Sequence, residues 1–241
     1  MKKEIAEKIL QETEVGYDLI SQKFSQTRKH FWRGLEFISD YCRENDNVLD
    51  FGCGNGRLLE LLGEKKVQYC GVDVSQGLID FAKQKYESEN VKFFKLKTGT
   101  VSELSSEELE DNFFNAIFSI AVFHHFPSQQ YRQEAARELY NKTKEDGHIV
   151  VTVWYLFQRR YFKNILKNWL EKLQGKSQLD WNDCQISFTD NQGKKFQRFH
   201  HAFTKRELRK LFQAAGFEIE KCEIVGGRNI LLIGRKADSG F

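Results

Sequence analysis

No run of about 18 apolar residues occurs in the 241-residue chain, so no transmembrane helix and no membrane partner are expected. The N-terminus, MKKEIAEKILQETE, is charged throughout and lacks an apolar core, so no secretory leader is expected there. The five cysteines, Cys42, Cys53, Cys70, Cys184 and Cys222, are odd in number and form no Cys-x-x-Cys pair. That argues against a disulfide framework or a zinc ribbon, and for reduced thiols in a cytoplasmic protein. Proline occurs once, at Pro127, directly after SIAVFHHF. Internal repeats and low-complexity tracts are absent. Apolar material is plentiful: hydrophobic residues make up 40% of the chain and phenylalanines number 21, enough for a substantial core in one large domain spanning 1–241.

The net charge of +3 hides an asymmetry. Residues 1–154 hold 20 Lys and Arg against 25 Asp and Glu, whereas residues 155–212 hold 13 against 5. A single-sign block of this kind suits an anionic partner or a solvated helix face.

Hydrophobic patterning predicts two N-terminal helices over 4–22 and 28–44, parted at FSQTR, where Ser25 or Thr27 would cap the second. Beyond them strands and helices alternate. Strands are expected at 46–52, 67–74, 91–96, 113–122 and 147–155, with a helix from RLLELLGE, one capped by Ser75 and one over 128–143. The strands are apolar on both faces, as buried parallel strands are. The pattern breaks at a basic helix, 159–174, followed by a hairpin turning at Asn191-Gln192-Gly193. It returns with helix 204–215, stopped by Gly216, and two strands over 217–224 and 229–235. The fold class expected is α/β: a doubly wound, mostly parallel seven-stranded sheet with an antiparallel edge strand, Rossmann-like.

VLDFGCGNGRLL puts Asp50, Gly52, Cys53, Gly54 and Gly56 where the first strand meets a helix, the ligand end of an open α/β sheet. Asp73 and Val74 close the second strand, where an acid can accept from both ribose hydroxyls. A dinucleotide enzyme would show G-x-G-x-x-G. The loop here is G-C-G-N-G with an acid two residues ahead of it. It resembles motif I of class I S-adenosylmethionine-dependent methyltransferases, which implies that cofactor, held by the loop, Asp73 and the Ser119-Ile120-Ala121 end of the fourth strand. That family often carries an acid after strand three. Here KLKTGTVSEL offers Thr98 or Thr100 instead.

Several segments in order, YDLISQKFSQTRKHFW, LDFGCGNGRLL, GVDVSQGLIDFA, SIAVFHHF, VTVWYLFQ, RFHHAFTKREL and GGRNILLI, resemble the tRNA wobble-uridine methyltransferases that esterify 5-carboxymethyluridine. The likeness runs from about residue 15 to 235 and fails over 160–197. The family's aspartate–valine–proline–tryptophan stretch has only a loose stand-in in DWNDCQISF. The resemblance implies a tRNA anticodon loop as substrate, a carboxylate acceptor and a basic substrate-binding insertion over 156–203 behind the N-terminal helices of 1–44. Eukaryotic members work with a small activator subunit, of which this sequence shows no sign. A carboxylate is already an anion at pH 7, so its methylation needs no general base. Arginine suits the task of holding it, and Arg28 and Arg198 stand in matching segments. Asn229 stands where the family has an asparagine.

The histidines fit this reading as positioning groups. Adjacent His124 and His125 on an extended segment would point in opposite directions, which disfavours a shared metal, and no site metal is expected. They fall at the ligand end of the fourth strand. His201 matches a family histidine, and His200 stands where an aromatic is usual. A small-molecule methyltransferase of the same fold would instead use His124 or His125 as a base, and a non-catalytic binding protein would keep the fold alone.

Overall fold

The computed structural model describes residues 1–28, 30–97, 109–190 and 192–237. Seven strands form one sheet: β1 (Asn47–Phe51), β2 (Gln68–Asp73), β3 (Val91–Lys95), β4 (Phe114–Ile120), β5 (Thr143–Trp154), β8 (Glu218–Val225) and β9 (Asn229–Arg235). Their spatial order is β3-β2-β1-β4-β5-β9-β8. The first five run parallel, while β9 pairs antiparallel with both β5 and β8. The expected antiparallel element thus lies at this edge of the sheet. The chain moves outward from β1 to β3, then returns to β4 on the other side. Between β1 and β4 the strand order reverses, and ligands bind open α/β sheets at such a point.

Alternation along each strand buries both faces of the sheet. Leu49, Ile117, Val151 and Leu232 meet α4 (Gln129–Lys142) and α6 (Lys205–Ala215) through Leu139 and Phe212. Their neighbours Val48, Phe118, Val150 and Leu231 meet α2 (Leu59–Leu62) and α3 (Gln76–Tyr86) through Leu62 and Ile79. Ser75 caps α3 by accepting from the Leu78 amide, and Gly216 stops α6 at φ +118°. Both match the sequence reading.

The N-terminal region differs from the expected pair of helices. A single helix, α1 (Lys3–Thr27), is followed only by a 3-10 turn over Glu36–Tyr41. Thr27 Oγ1 donates back to the Lys23 carbonyl at 2.6 Å, so it caps nothing, and Ser25 lies inside α1. Gly34, at φ +87°, then breaks any continuation. Mid-helix Gly16 has a packing reason. A Cβ there would stand 3.1 Å from Phe196, so the glycine lets α1 lie against β7 (Lys195–His201).

The basic segment folds as α5 (Arg159–Leu173) and an antiparallel hairpin of β6 (Asp183–Thr189) with β7, a separate two-stranded sheet. Leu156, Ile165, Cys184, Ile186 and Ala202 give it a small core of its own. Asp190 Oδ1 accepts from the Gln192 and Lys194 amides at 2.9 and 2.8 Å and shapes the turn. Asn191, Thr98 and Thr100, and most of the acidic stretch 102–111, lie outside the described residues. No helix among the described residues is long and apolar enough to cross a membrane.

Candidate active site

A cleft of about 1390 Å³, counting its open mouth, lies at the β1–β4 reversal point. Its floor is the glycine loop. The Gly52 and Cys53 amides donate to the Val72 carbonyl at 2.8 and 3.0 Å and tie the loop to β2. Gly52 has φ +79°, and a Cβ on it would lie 2.3 Å from Val122 Cγ2, so only glycine fits. Gly54 has φ +57°, and a Cβ there would meet nothing nearer than Phe24 at 3.5 Å.

Asp73 accepts from the Gly54 amide with one oxygen and from the Ser75 amide with the other, both at 2.9 Å. Each oxygen keeps a lone pair for a hydroxyl. Burial pushes this carboxyl up to about 6, against the hydrogen bonds that favour its charged form. Asp50 is buried beneath it and accepts from Tyr69 Oη at 2.6 Å, and burial pushes it up to about 7. Ala121, after β4, sits in the left-handed region at φ +63°, with its amide donating to Thr152 O and Oγ1.

Helix α1 roofs the cleft with Tyr17 and Phe24. Arg28 at its end lies 4.4 Å over the Phe24 ring, and burial lowers its pKa. Arg198 reaches in from β7. It is 4% exposed and sits 3.6 Å over Phe188 and 4.5 Å over Tyr17. Its Nε and Nη1 are buried with no hydrogen-bond partner among the described residues. Buried arginine N–H groups are normally paired, so a guanidinium that lines the cleft and lacks partners for two of its nitrogens suits an anion.

His124 and His125 lie on a 3-10 turn, Phe123–His125, not on an extended segment, and their rings stand 4.3 Å apart. The expected divergence therefore does not occur. His125 Nδ1 is 3.2 Å from the Phe199 carbonyl and must donate to it; Nε2 then accepts from Tyr17 Oη at 2.8 Å. His124 Nδ1 accepts a long 3.4 Å bond from the Trp154 amide, and its Nε2 is buried without a partner among the described residues. Burial first, then neighbouring cationic groups, holds both histidines well below the usual range, so both are neutral at pH 7.

Twelve of the residues singled out from sequence line this cleft: Asp50, Gly52, Cys53, Gly54, Asp73, Val74, Ile120, Ala121, Arg28, His124, His125 and Arg198. Three lie behind its wall. Gly56 backs against Tyr86 and Phe93, and Ser119 is fully buried in β4. His201 bridges Asp183 and Glu207, 2.7 Å from each, joining β6 and β7 to α6. The two carboxylates outweigh its burial and raise its pKa, which makes it a structural cation. Asn229 opens β9 opposite Trp154 and is not part of the cleft wall.

Sequence reasoning assigned no role to Tyr17, Trp32 or Arg57, all of which line the cleft. Arg57 follows the glycine loop directly and lies 3.4 Å over Trp32. Its position in GNGR was the available signal. Trp154 stacks on His124, His200 and Tyr161 and lines the cleft with them.

An open parallel sheet with a β9-type antiparallel insertion, a glycine loop after β1 and an acid ending β2 define an S-adenosylmethionine-dependent methyltransferase of class I. Residues 24–221 match the family described as methyltransferase domain, and the chain belongs to it. Its cofactor is S-adenosylmethionine. The loop and Asp73 fit that molecule: an open backbone side at Gly54 and a pinned carboxylate with free lone pairs.

Among curated proteins, a tRNA (carboxymethyluridine(34)-5-O)-methyltransferase of Arabidopsis thaliana is 30% identical over 138 residues, covering 57% of this chain and 31% of its own length. The enzyme of that name from Schizosaccharomyces pombe is 27% identical over 217 residues, covering 84% of this chain and 87% of its own. The chain thus spans under a third of the Arabidopsis protein but most of the fission-yeast one. The fold is also that of a methyltransferase from Methanosarcina mazei, with a TM-score of 0.67, 18% identity, and coverage of 86% of this chain and 99% of that one.

Proposed function

We propose that this methyltransferase transfers a methyl group to a carboxylate on the wobble uridine of a tRNA, forming an ester. The observation that carries the acceptor class is Arg198, a cleft-lining guanidinium with no hydrogen-bond partner for Nε and Nη1 among the described residues. A carboxylate offers the planar pair of acceptors that a guanidinium fork binds. Arg28 lines the same cleft and supplies a second positive charge. The names of the relatives from Arabidopsis thaliana and Schizosaccharomyces pombe support the tRNA substrate.

Bound S-adenosylmethionine supplies an electrophilic methyl group on sulfur. A carboxylate oxygen would accept that methyl as the sulfur–carbon bond breaks, with no proton for the protein to remove. The protein's work is then positioning and exclusion of water. Asp73 would accept from the ribose hydroxyls, and the Gly52–Gly54 backbone would hold the amino-acid part of the bound cofactor. His125, with one nitrogen donating to Phe199 and the other accepting from Tyr17, has no lone pair free to act as a base. It holds the roof helix α1 to the hairpin instead. Arg159, Arg160, Lys163 and Lys167 lie along α5 and would meet phosphates. Phe162 and Trp181, 40% and 52% exposed, are the rings available to an unpaired base.

The test is incubation with labelled S-adenosylmethionine and total tRNA from a strain lacking the gene. Label that is released by mild alkali supports an ester. Alkali-stable label, or label only on small molecules, contradicts it.

A further inference from the structure

We infer that His124, His125 and His200 form a binding site for a transition-metal ion of the zinc and copper class. The three side chains come from the 3-10 turn after β4 and from β7, and all are buried. Each offers one nitrogen, and these nitrogens lie within 4.8 Å of one another. A metal about 2.0–2.1 Å from an imidazole nitrogen lies about 3.2 Å from the ring centre. Rings that share it have centres about 4.5–5.2 Å apart for bond angles of about 90–110°. The observed separations are 4.3 Å for His124–His125, 5.3 Å for His124–His200 and 4.7 Å for His125–His200. The His125–His200 spacing falls inside that range and the other two lie close to it, but the His124 and His200 rings stack within 11° of parallel, so His124 must turn to aim its nitrogen at a shared ion. The nitrogens must close to about 3.3 Å of each other by small side-chain rotations.

A second observation is independent of the spacing. His125 Nδ1 faces the Phe199 carbonyl and His200 Nδ1 the Arg198 carbonyl, at 3.2 and 3.1 Å. Both nitrogens must carry the proton, so both Nε2 atoms present a lone pair. Metal-bound histidines are held in this way, with the outer N–H on a backbone carbonyl. His200 Nε2 has no other partner among the described residues, although buried. A buried acceptor with nothing to accept from is costly, and an ion relieves it.

The remaining adjustments are small. Tyr17 Oη leaves His125 Nε2 and becomes, with a water from the cleft, a candidate fourth donor. His124 moves its proton from Nε2 to Nδ1 and gives up the long bond from Trp154. His124 and His125 line the cleft, which provides the entry path. The Arg198 guanidinium carries a charge beside these rings. The same charge opposes a second cation, so binding is weaker than in a site with a carboxylate. An ion here would add positive charge to the wall that Arg198 already offers to an anion. Nothing in this inference depends on tRNA being the substrate.

Cobalt(II) titration of the purified chain tests it, followed by back-titration with zinc and, on a separate sample, with copper. One equivalent of cobalt should give the strong visible absorption of a tetrahedral nitrogen-rich site, and zinc should remove it. His200→Phe, a ring that suits the stack with Trp154 and Phe188, should weaken cobalt binding by at least the 10–100-fold that loss of an outer partner costs. It should still bind S-adenosylmethionine, which reports on its folding. A wild-type protein without that absorption, and with no zinc retained through dialysis, overturns the inference. So does a folded His200→Phe that binds cobalt as wild type does. If the variant does not fold, the wild-type melting temperature decides: a rise with excess zinc that chelator reverses supports the site, and no change refutes it.

Discussion

Replacing Arg198 by Met separates a substrate role from a structural one. Among the described residues the guanidinium is buried with Nε and Nη1 unpaired, and the Phe188 and Tyr17 rings compensate it. Removing two unsatisfied buried donors should return about 1–3 kcal/mol each. Losing two ring contacts should cost about 1–2 kcal/mol each. The terms nearly cancel, and methionine fills similar space, so the melting temperature should move by less than about 4 °C. With an anionic acceptor bound, the variant leaves a buried charge without its partner, which costs about 2–5 kcal/mol. The predicted loss in kcat/KM for tRNA is therefore on the order of 30- to 4000-fold. Arg198→Lys keeps the charge but loses the fork and should fall between. The assay is methyl incorporation at limiting tRNA beside thermal melting. Activity within about threefold of wild type would refute the argument, as would a large fall in melting temperature that accounts for the lost activity.

Gly52→Ala should abolish detectable S-adenosylmethionine binding by calorimetry, because the added carbon meets Val122 at 2.3 Å on a strained backbone. Near-wild-type affinity would show that the loop is not the cofactor cradle. Acid should destabilise the fold through the histidines. His124, His125 and His200 are held below 6.5 when folded, His200 at about 3, so the unfolded chain takes up protons first and stability drops as pH falls below about 6.5. Asp50 and Asp73, raised to about 7 and 6, act oppositely: the folded chain gains protons first as pH falls toward 4. Comparing His200→Phe with wild type by chemical denaturation from pH 7 to 4 isolates the histidine contribution, and the variant should lose less. The affinity for an anticodon stem-loop should fall steeply with salt, and neutralising Lys163 or Lys167 should each reduce the logarithmic slope by about one. An unchanged slope would remove α5 from the RNA surface.

Local signals made the sheet and cofactor side legible. Strand runs, the glycine loop and the cap at Ser75 are written in contiguous residues, and the structure keeps them within a few positions. The acceptor side was legible only in pieces. Tyr17, Arg28, His125 and Arg198 meet because α1 crosses over the sheet and the β6–β7 hairpin folds back against it, contacts that no short window carries. The histidine pair was misread for a local reason. Alternation holds along a strand, but the chain leaves β4 at Ala121 in the left-handed region and turns into a 3-10 helix, which swings the two rings to one side. The N-terminal break was misplaced because α1 runs on through FSQT to Thr27, and beyond Gly34 the chain forms only a 3-10 turn. His200 gained meaning only from its neighbours across the turn.

Mass spectrometry of the wobble nucleoside, in tRNA from a strain lacking the gene and treated with pure enzyme and S-adenosylmethionine, tests the central claim most directly. The account predicts conversion of a carboxymethyl uridine to its methyl ester, one methyl heavier and reversible by alkali. An unchanged wobble nucleoside, from enzyme shown by calorimetry to bind S-adenosylmethionine, would contradict it.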